Sequence, residues 1–148
     1  MVPMSPPDAN PVTFLDDDAA WDELRTHAVG RLAVSLGGEP EIFPVNFAVD
    51  GRSLVFRTAE GSKLLAATLG GVGALEVDRF DDSTGTSVIA RGPLAEMEGA
   101  QALAQAEELP LRSWVGTVKS HYVRLDVTQI SGRRFTFGDA PEDFHPLG

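Results

Sequence analysis

Three strand-like segments joined by two glycine-containing turns constrain the fold of this chain more than any other feature. In the first segment the large apolar side chains occupy alternate positions, which is the period of a half-buried strand. Gly37 and Gly38 then favour a tight hairpin, and Asp50 followed by Gly51 is a second strong hairpin signal. The pattern therefore predicts an antiparallel meander. Its three strands are residues 31–36, 41–49 and 53–58.

The rest of the chain continues as strands joined by turns, with helices between some of them. Parallel strands would need long crossover connections, whereas strands that follow one another through hairpins favour an antiparallel barrel. The expected fold class is therefore mainly β with helices, an antiparallel barrel of about seven strands. Further strands are predicted at residues 74–80, 86–97, 122–130 and 133–137, with a turn at Ser131 and Gly132, and helices at residues 16–28, 59–69 and 100–109.

Composition limits the classes of partner and of chemistry. The 148 residues fit one domain, and 12 basic against 22 acidic residues give a net charge of -10. An acidic surface repels nucleic acid and anionic membranes, so neither is expected as a partner. The absence of cysteine excludes disulfides, thiol nucleophiles and cysteine-ligated metal sites.

The two ends of the chain are expected to lie outside the folded domain. Residues 1–15 are interpreted as a flexible N-terminal arm, residues 16–138 as the domain and residues 139–148 as a C-terminal tail. Residues 1–18 contain no lysine or arginine and no apolar stretch typical of a secretory signal. A cytoplasmic location is therefore expected.

No familiar catalytic motif is present. The chain contains neither the G-x-S-x-G pattern of serine hydrolases nor a Walker phosphate loop. The three histidines are widely separated, so no metal site is expected. We interpret His27 as a partly exposed surface residue.

One segment has the composition of a phosphate site. Arg57 and Thr58 end a strand, and Ser62 and Lys63 stand near the start of the predicted helix that follows. Backbone N–H groups at a helix N-terminus favour a phosphate, and a guanidinium, an ammonium and two hydroxyls would add hydrogen bonds. The alternative is a surface strand–turn–helix in which Arg57 and Lys63 are merely solvated.

Several short motifs occur in a specific order. They are GRLAV at residues 30–34, PEIFPVNF at 40–47, FRT at 56–58 and GSKL at 61–64, followed by EVD at 76–78, VIARG at 88–92 and SGRRF at 131–135. With these motifs the chain resembles the pyridoxamine 5'-phosphate oxidase-like family of FMN-binding split β-barrels. The resemblance extends from about residue 21 to residue 137, and it is the ordered set rather than any single motif that makes it specific.

The resemblance implies a homodimer with two FMN sites at the subunit interface. The strand at residues 43–47 would line the isoalloxazine ring through backbone groups and apolar side chains, and the residues of the predicted phosphate site would hold the phosphate. Trp114 has an equally plausible role as a core or interface aromatic. The implied cofactor-binding residues are Phe43, Pro44, Val45, Asn46, Phe47, Arg57, Thr58, Ser62 and Lys63, with Arg91 and Trp114 from the second subunit.

The resemblance implies an FMN-binding oxidoreductase acting on an unassigned small molecule, since a flavin supplies the chemistry without a catalytic side chain. Oxidation of pyridoxamine phosphate itself is not expected, because the acidic tail at residues 139–148 is a poor holder for a second phosphate. One alternative is an F420-dependent reductase, with Arg112, Lys119, Arg133 and Arg134 as candidates for its acidic tail. Another is a non-catalytic flavin or haem module, with His121 or His27 as axial ligand.

Overall fold

The computed structural model describes residues 11–59, 69–111 and 120–138, which contain eight strands and two helices. Side chains are described for these residues except Thr58, Ala59 and Ser120. In chain order the elements are β1 (Val12–Leu15), α1 (Asp17–Arg25), β2 (Val29–Leu36), β3 (Glu39–Asp50), β4 (Ser53–Ala59), β5 (Val72–Phe80), β6 (Thr84–Glu96), α2 (Ala100–Glu107), β7 (Ser120–Asp126) and β8 (Gln129–Thr136).

The strands close into an antiparallel barrel, which confirms the expected mainly-β fold class. Six strands form the ring in the order β6-β5-β2-β3-β4-β7, and β7 pairs again with β6. β8 pairs with β6 outside the ring, and β1 pairs with β8. The result is a six-stranded barrel with two extra strands, consistent with a split barrel.

The predicted meander of β2, β3 and β4 is confirmed. β2 pairs antiparallel with β3 along its whole length, and β3 pairs with β4 around the next turn. Gly37, Gly38 and Gly51 have φ values of 57°, 86° and 61°, a backbone region that side-chain-bearing residues rarely adopt. Glycine at these turns is therefore what permits the two tight hairpins.

The barrel splits at Gly92 of β6. One edge of β6 pairs with β8 as far as Arg91 and with β7 from Leu94 onward. Between them, a Cβ on Gly92 would lie 1.6 Å from the backbone oxygen of Asp126, so only glycine fits there. The backbone of Thr128 donates to the carbonyl of Arg91 across the same junction, at 2.8 Å.

The turn predicted at Ser131 and Gly132 is wrong. The chain turns instead at residues 127–128, between β7 and β8, and residues 131–132 are paired inside β8. Gly132 is there because it packs against Leu15 of β1, where a Cβ would lie 2.9 Å from Cδ1. Its role is close packing rather than a turn.

The N-terminal boundary also differs from the expectation. Residues 12–15, predicted to be part of a flexible arm, form β1, which pairs with β8 from Val12 opposite Phe135 to Leu15 opposite Gly132. Asp16 then caps α1, its side chain accepting a 2.8 Å hydrogen bond from the backbone of Ala19. Residues 1–10, 60–68 and 139–148 lie outside the described residues, so the predicted short helix and the tail are not assessed.

The hydrophobic core fills the barrel and extends to α1. Trp21 and Leu24 of α1 are buried in one cluster with Leu32, Phe47 and Phe56 of the barrel. A second cluster lies beneath α2, where Ala106 packs with outward-facing residues of β4 and β7. Neither helix among the described residues is long and apolar enough to span a membrane.

Candidate functional site

The strand predicted to line a flavin ring, residues 43–47 of β3, alternates between the barrel interior and its outer surface. Val45 and Phe47 are buried in the core, and Phe43 packs against it. These side chains contribute to packing of the barrel, and the expectation that they cover a flavin ring stays a prediction. Pro44 and Asn46 occupy the alternate positions and are not buried. The outer surface of β3 therefore offers these two side chains together with backbone.

A cavity of about 440 Å³ lies against this part of β3. It is lined by Val29, Pro44, Val45 and Asn46, and Val29 pairs with Asn46 in the β2–β3 register. The lining is apolar except for the Asn46 amide, a composition common in sites for flat organic ligands.

Arg57 is one of the described basic residues that the fold brings to this region. Phe47 pairs with Phe56 in the β3–β4 register, so Asn46 and Arg57, each one residue further, lie at the same level on neighbouring strands. The Arg57 side chain is half-buried, and its guanidinium carbon is 6.0 Å from the centre of the Tyr122 ring on β7. This cation–π contact favours one orientation of the guanidinium.

The other predicted phosphate ligands are only partly described. The backbone of Thr58 pairs with His121 at the end of β4, but its side chain is not described. Ser62 and Lys63 lie outside the described residues, as does Trp114. The predicted phosphate site is therefore represented here by Arg57 and the strand that carries it.

Arg91 lies on a different part of the barrel from Arg57. It is exposed on β6, opposite Ala74 of β5 and Gln129 of β8, whereas Arg57 is on β4 and pairs toward β7. Ala74 is in turn opposite Ala33 of β2. Arg91 therefore shares the outer sheet surface with the cavity but does not join Arg57 within one protomer.

A second arginine near the cavity, Arg31, already forms ion pairs with two carboxylates. Arg31 pairs with Pro44 across β2 and β3, and its Nη1 donates to Glu76 at 2.8 Å and to Asp78 at 2.7 Å. Burial, and then the hydrogen bond with Asp78, raise the pKa of Glu76 above its ordinary value, although Arg31 opposes the shift. Arg31 is therefore a weaker candidate for a phosphate than Arg57.

Sequence reasoning missed a network of charged residues that joins α1 to β5. Glu23 of α1, only 8% exposed, accepts from Nη2 of Arg79 at 2.7 Å and lies 2.8 Å from Nε2 of His27. Burial acts to raise the pKa of Glu23, but the hydrogen bonds from His27 and Arg79 outweigh it and the pKa lies below its ordinary value. The four-residue spacing of Glu23 and His27 could have predicted their contact. The contact with Arg79 could not be predicted in this way, because it depends on how the fold places β5 beside α1.

His27 is partly exposed, as the sequence suggested, and its ring is in addition paired with Glu23. Its side chain is 15% exposed and lines a second cavity, of about 320 Å³, formed by residues 25–28, residues 47–49 and Pro110. Between β7 and β6, Nδ1 of His121 lies 2.5 Å from a carboxylate oxygen of Glu96. Within the described part of the chain, no three His, Asp or Glu side chains are grouped as a metal site would require.

Comparisons with known proteins agree with this architecture. A family model described as pyridoxamine 5'-phosphate oxidase matches residues 16–134. An FAD binding protein from Mycobacterium smegmatis has 41% sequence identity and a TM-score of 0.79, the match covering 85% of this chain and 100% of that one. A conserved protein of unknown function from Corynebacterium diphtheriae has 37% identity and a TM-score of 0.77, over 86% of this chain and 100% of that one.

A sequence relative shows the same relationship. An uncharacterised protein of Mycobacterium tuberculosis is 37% identical over 94 residues, which are 64% of this chain and 86% of the relative. The family match extends from the start of α1 almost to the end of β8 and so includes every strand of the barrel ring. The chain belongs to the pyridoxamine 5'-phosphate oxidase family.

Proposed function

We propose that this protein binds a flavin nucleotide and serves as a flavin-dependent oxidoreductase for a small molecule. The observation that carries the proposal is the 41% identity to the FAD binding protein of Mycobacterium smegmatis, over the whole length of that chain. Relatives with this much shared sequence conserve the backbone that forms a binding surface, although site residues must still be tested one by one.

The geometry around Asn46 and Arg57 supports a site on the outer surface of β3. A flavin ring would lie in the 440 Å³ cavity beside Val29 and Asn46, where the amide and exposed backbone groups can hydrogen-bond its polar edge. Arg57, one strand away, would hold the phosphate through two parallel N–H···O bonds. Tyr122 would keep the guanidinium in place.

The same residues serve FMN and FAD. The sequence suggested FMN, and the resemblance to an FAD binding protein makes FAD the first flavin to test. FAD contains the ring and first phosphate of FMN, so Asn46 and Arg57 would hold the shared part in either case. When bound, the flavin supplies the electron transfer, and the protein orients it and limits its exposure to water.

We also propose that two copies of the chain form the complete site. Val29, Ile42 and Val72 are 44%, 67% and 68% exposed on the outer surface of the β3–β2–β5 sheet. Apolar side chains concentrated on one sheet face favour burial against a partner. Arg91 lies on this face as well, so a second copy could bring its Arg91 to the first copy's flavin.

Cofactor titration tests the proposal. Purified protein is freed of bound cofactor and titrated separately with FAD, FMN and F420, with flavin or deazaflavin fluorescence as the readout. The proposal requires saturable binding of FAD or FMN at one site per chain. Binding of F420 alone would transfer the function to deazaflavin-dependent reduction, and binding of none would contradict the assigned site.

A further inference from the structure

Three phenylalanine rings adjoin one another at the end of β5, beside the start of β6 and the end of β8. The ring of Phe80 stacks with those of Phe135 and Phe137, at centroid separations of 6.3 Å and 6.2 Å and interplanar angles of 28° and 26°. Both separations lie within the range of favourable aromatic pairs. Phe80 and Phe137 are nevertheless 57% and 45% exposed. These three residues form what we call the aromatic platform.

The backbone beneath the aromatic platform holds Phe80 in place. Phe80 pairs with Gly85 across β5 and β6, and a Cβ on Gly85 would collide with the Phe80 ring. The turn between these strands is closed by Asp81, whose carboxylate accepts from the backbone of Ser83 at 2.8 Å and of Thr84 at 2.7 Å. Adjoining exposed rings differ from the single apolar side chains that surfaces normally carry, and they indicate a contact surface.

A basic side chain lies beside the aromatic platform. Arg133 precedes Phe135 by two residues on β8, so both side chains lie on the same face of the sheet. The guanidinium carbon of Arg133 is 5.9 Å from the centre of the Phe14 ring, which is 77% exposed on β1. Among the described residues no carboxylate forms an ion pair with Arg133. The surface therefore combines exposed rings with a positive charge.

We propose that residues 139–148 of the same chain fold back over the aromatic platform, with Phe144 packed on Phe80 and an acidic residue of the segment beside Arg133. This contact rests neither on the proposed flavin nor on the proposed dimer. It assigns an intramolecular partner to rings that the barrel leaves exposed.

The position and length of the segment make it available to the aromatic platform. Its first residue follows Gly138, which is itself next to Phe137. An extended chain spans about 3.3–3.6 Å per residue, so residues 139–144 can cover far more than the 6.2 Å between the Phe137 and Phe80 rings. A segment tethered this closely has a high effective concentration at the surface, so even a weak contact can form.

The composition of the segment matches the surface. Phe144 can supply a fourth ring, and Glu142 and Asp143 directly before it supply carboxylates for Arg133. The exposed acidic turn at residues 81–82 would repel these carboxylates, which favours a path of the segment along β8. Exposed ion pairs contribute little to stability, so the rings should provide most of the stabilisation.

Other occupants of the aromatic platform match it less well. Residues 1–10 start from the same region, because the carbonyl of Pro11 accepts from the backbone of Thr136 at 2.9 Å. These ten residues contain no aromatic residue and a single acidic one, Asp8. A second copy of the chain could instead bring its own residues 139–148 to the platform, and the experiment below separates that case from the proposed one.

The experiment uses the absence of cysteine from the chain, because a single introduced cysteine then carries the only nitroxide label. His145→Cys places the label next to Phe144 in the full chain, and the broadening of backbone amide signals is followed by ¹⁵N NMR. We expect strong broadening at Phe80 and Gly85. The signal of Gly38, in the turn between β2 and β3, should stay sharp.

A variant of the labelled protein separates docking from mere proximity. Phe144→Ser keeps the length, the charge and the label position of the segment and removes the ring. We expect the equilibrium constant for docking, measured from the broadening at Phe80 and Gly85, to fall at least about tenfold, since the burial of an aromatic ring is lost. Residue 144 lies outside the described barrel, so the other amide signals should keep their positions.

A matched pair of arginine variants tests the charge. Arg133→Gln should lower the docking constant by about two- to fivefold, the size of one exposed ion pair. Arg134→Gln makes the same change of charge at the next residue, which pairs with Thr13 and Thr86 and lies on the opposite face of the sheet. Its docking constant should equal that of the native sequence.

Two results would overturn the proposal. Equal broadening with and without the Phe144 ring would show that residues 139–148 do not dock on the aromatic platform. Broadening of ¹⁵N-labelled chains by separate nitroxide-labelled chains, after the two have been mixed and allowed to exchange partners, would place the segment on a second copy. We expect no broadening of Phe80 in that mixed sample.

Discussion

The guanidinium of Arg57 stands over the ring of Tyr122, with 6.0 Å between its central carbon and the ring centre. The two residues are paired across β4 and β7, so the barrel itself sets their contact. Arg57 also lies level with Asn46 on the next strand. A charged group fixed beside an apolar cavity is the arrangement that an anionic, ring-containing cofactor needs.

Replacing Arg57 should weaken flavin binding. We expect Arg57→Ala to raise the Kd for FAD by about ten- to a hundredfold, because a hydrogen-bonded charge contributes about 1.5–3 kcal/mol. The Kd of the Arg57→Lys protein for FAD should lie between those of the native and Arg57→Ala proteins, since lysine keeps the charge and loses the bidentate geometry. Fluorescence titration measures all three proteins.

The matched control is Arg52→Ala. Arg52 also stands over an aromatic ring, that of Trp21 at 5.6 Å, but near α1 rather than beside Asn46. Its removal changes the net charge equally and should leave the Kd for FAD within about twofold, as expected for distant independent sites. Equal affinity of the Arg57→Ala and native proteins would show that the phosphate binds elsewhere.

A charge on the exposed sheet face should break the proposed dimer. Ile42→Glu places a carboxylate among the apolar side chains that we expect the second copy to cover. Light scattering should give twice the 15.8 kDa chain mass for the native protein and the single-chain mass for the variant. Leu103→Glu, on exposed α2, is the control and should remain dimeric. A monomeric native protein would refute the shared site.

Gly92 should tolerate no larger residue. A Cβ there would meet the backbone oxygen of Asp126 at 1.6 Å, and backbone on both sides must shift to admit it. We expect Gly92→Ala to lower the free energy of unfolding by about 3 kcal/mol. Gly138→Ala, with no atom within 4 Å of the new Cβ, should change it by less than about 0.5 kcal/mol. Urea denaturation measures the free energy of unfolding of both variants. A small decrease for Gly92→Ala would contradict the expectation and mean that the backbone at the junction of β6 and β7 shifts easily to admit a Cβ.

Glu23 should make stability depend on acid pH. Its pKa is lower in the folded protein, so its contribution is complete above the unfolded-state pKa and is lost as the pH falls through the folded-state value. We expect Glu23→Gln to cost about 1–3 kcal/mol at pH 7, since it weakens hydrogen bonds to two charged or chargeable groups. The difference should shrink in strongly acidic solution. Thermal unfolding of both proteins from pH 7 to pH 3 measures it, and a constant difference would contradict the assignment.

Local patterns predicted much of the barrel because its first half is built from local contacts. The glycines at residues 37, 38 and 51 determine the hairpins directly, and alternation determines which residues of β2 face inward. Gly132 was misread because its reason is non-local. It packs against Leu15, a residue of β1 far away in sequence, and the same pattern in a different fold would be a turn.

The candidate site shows the same division. Arg57 was predicted because a strand end rich in hydroxyl and basic residues is a local signal. Its neighbours Asn46 and Tyr122 come from the β3–β4 and β4–β7 registers. Likewise, Glu23 precedes His27 by one helical turn, whereas the contact from Arg79 depends on how α1 meets β5. The burial of Val45 and Phe47 could not be predicted, because the sequence does not say which surface of β3 faces the core.

The most direct measurement is gel filtration of the native protein after incubation with FAD, with protein mass and flavin absorbance recorded on the same peak. We expect flavin to elute with protein at twice the chain mass, in a ratio of one flavin per chain. The Arg57→Ala protein should elute at the same mass with most of its flavin lost. Native protein that elutes free of flavin after separate incubations with FAD and with FMN would contradict the flavin-binding function.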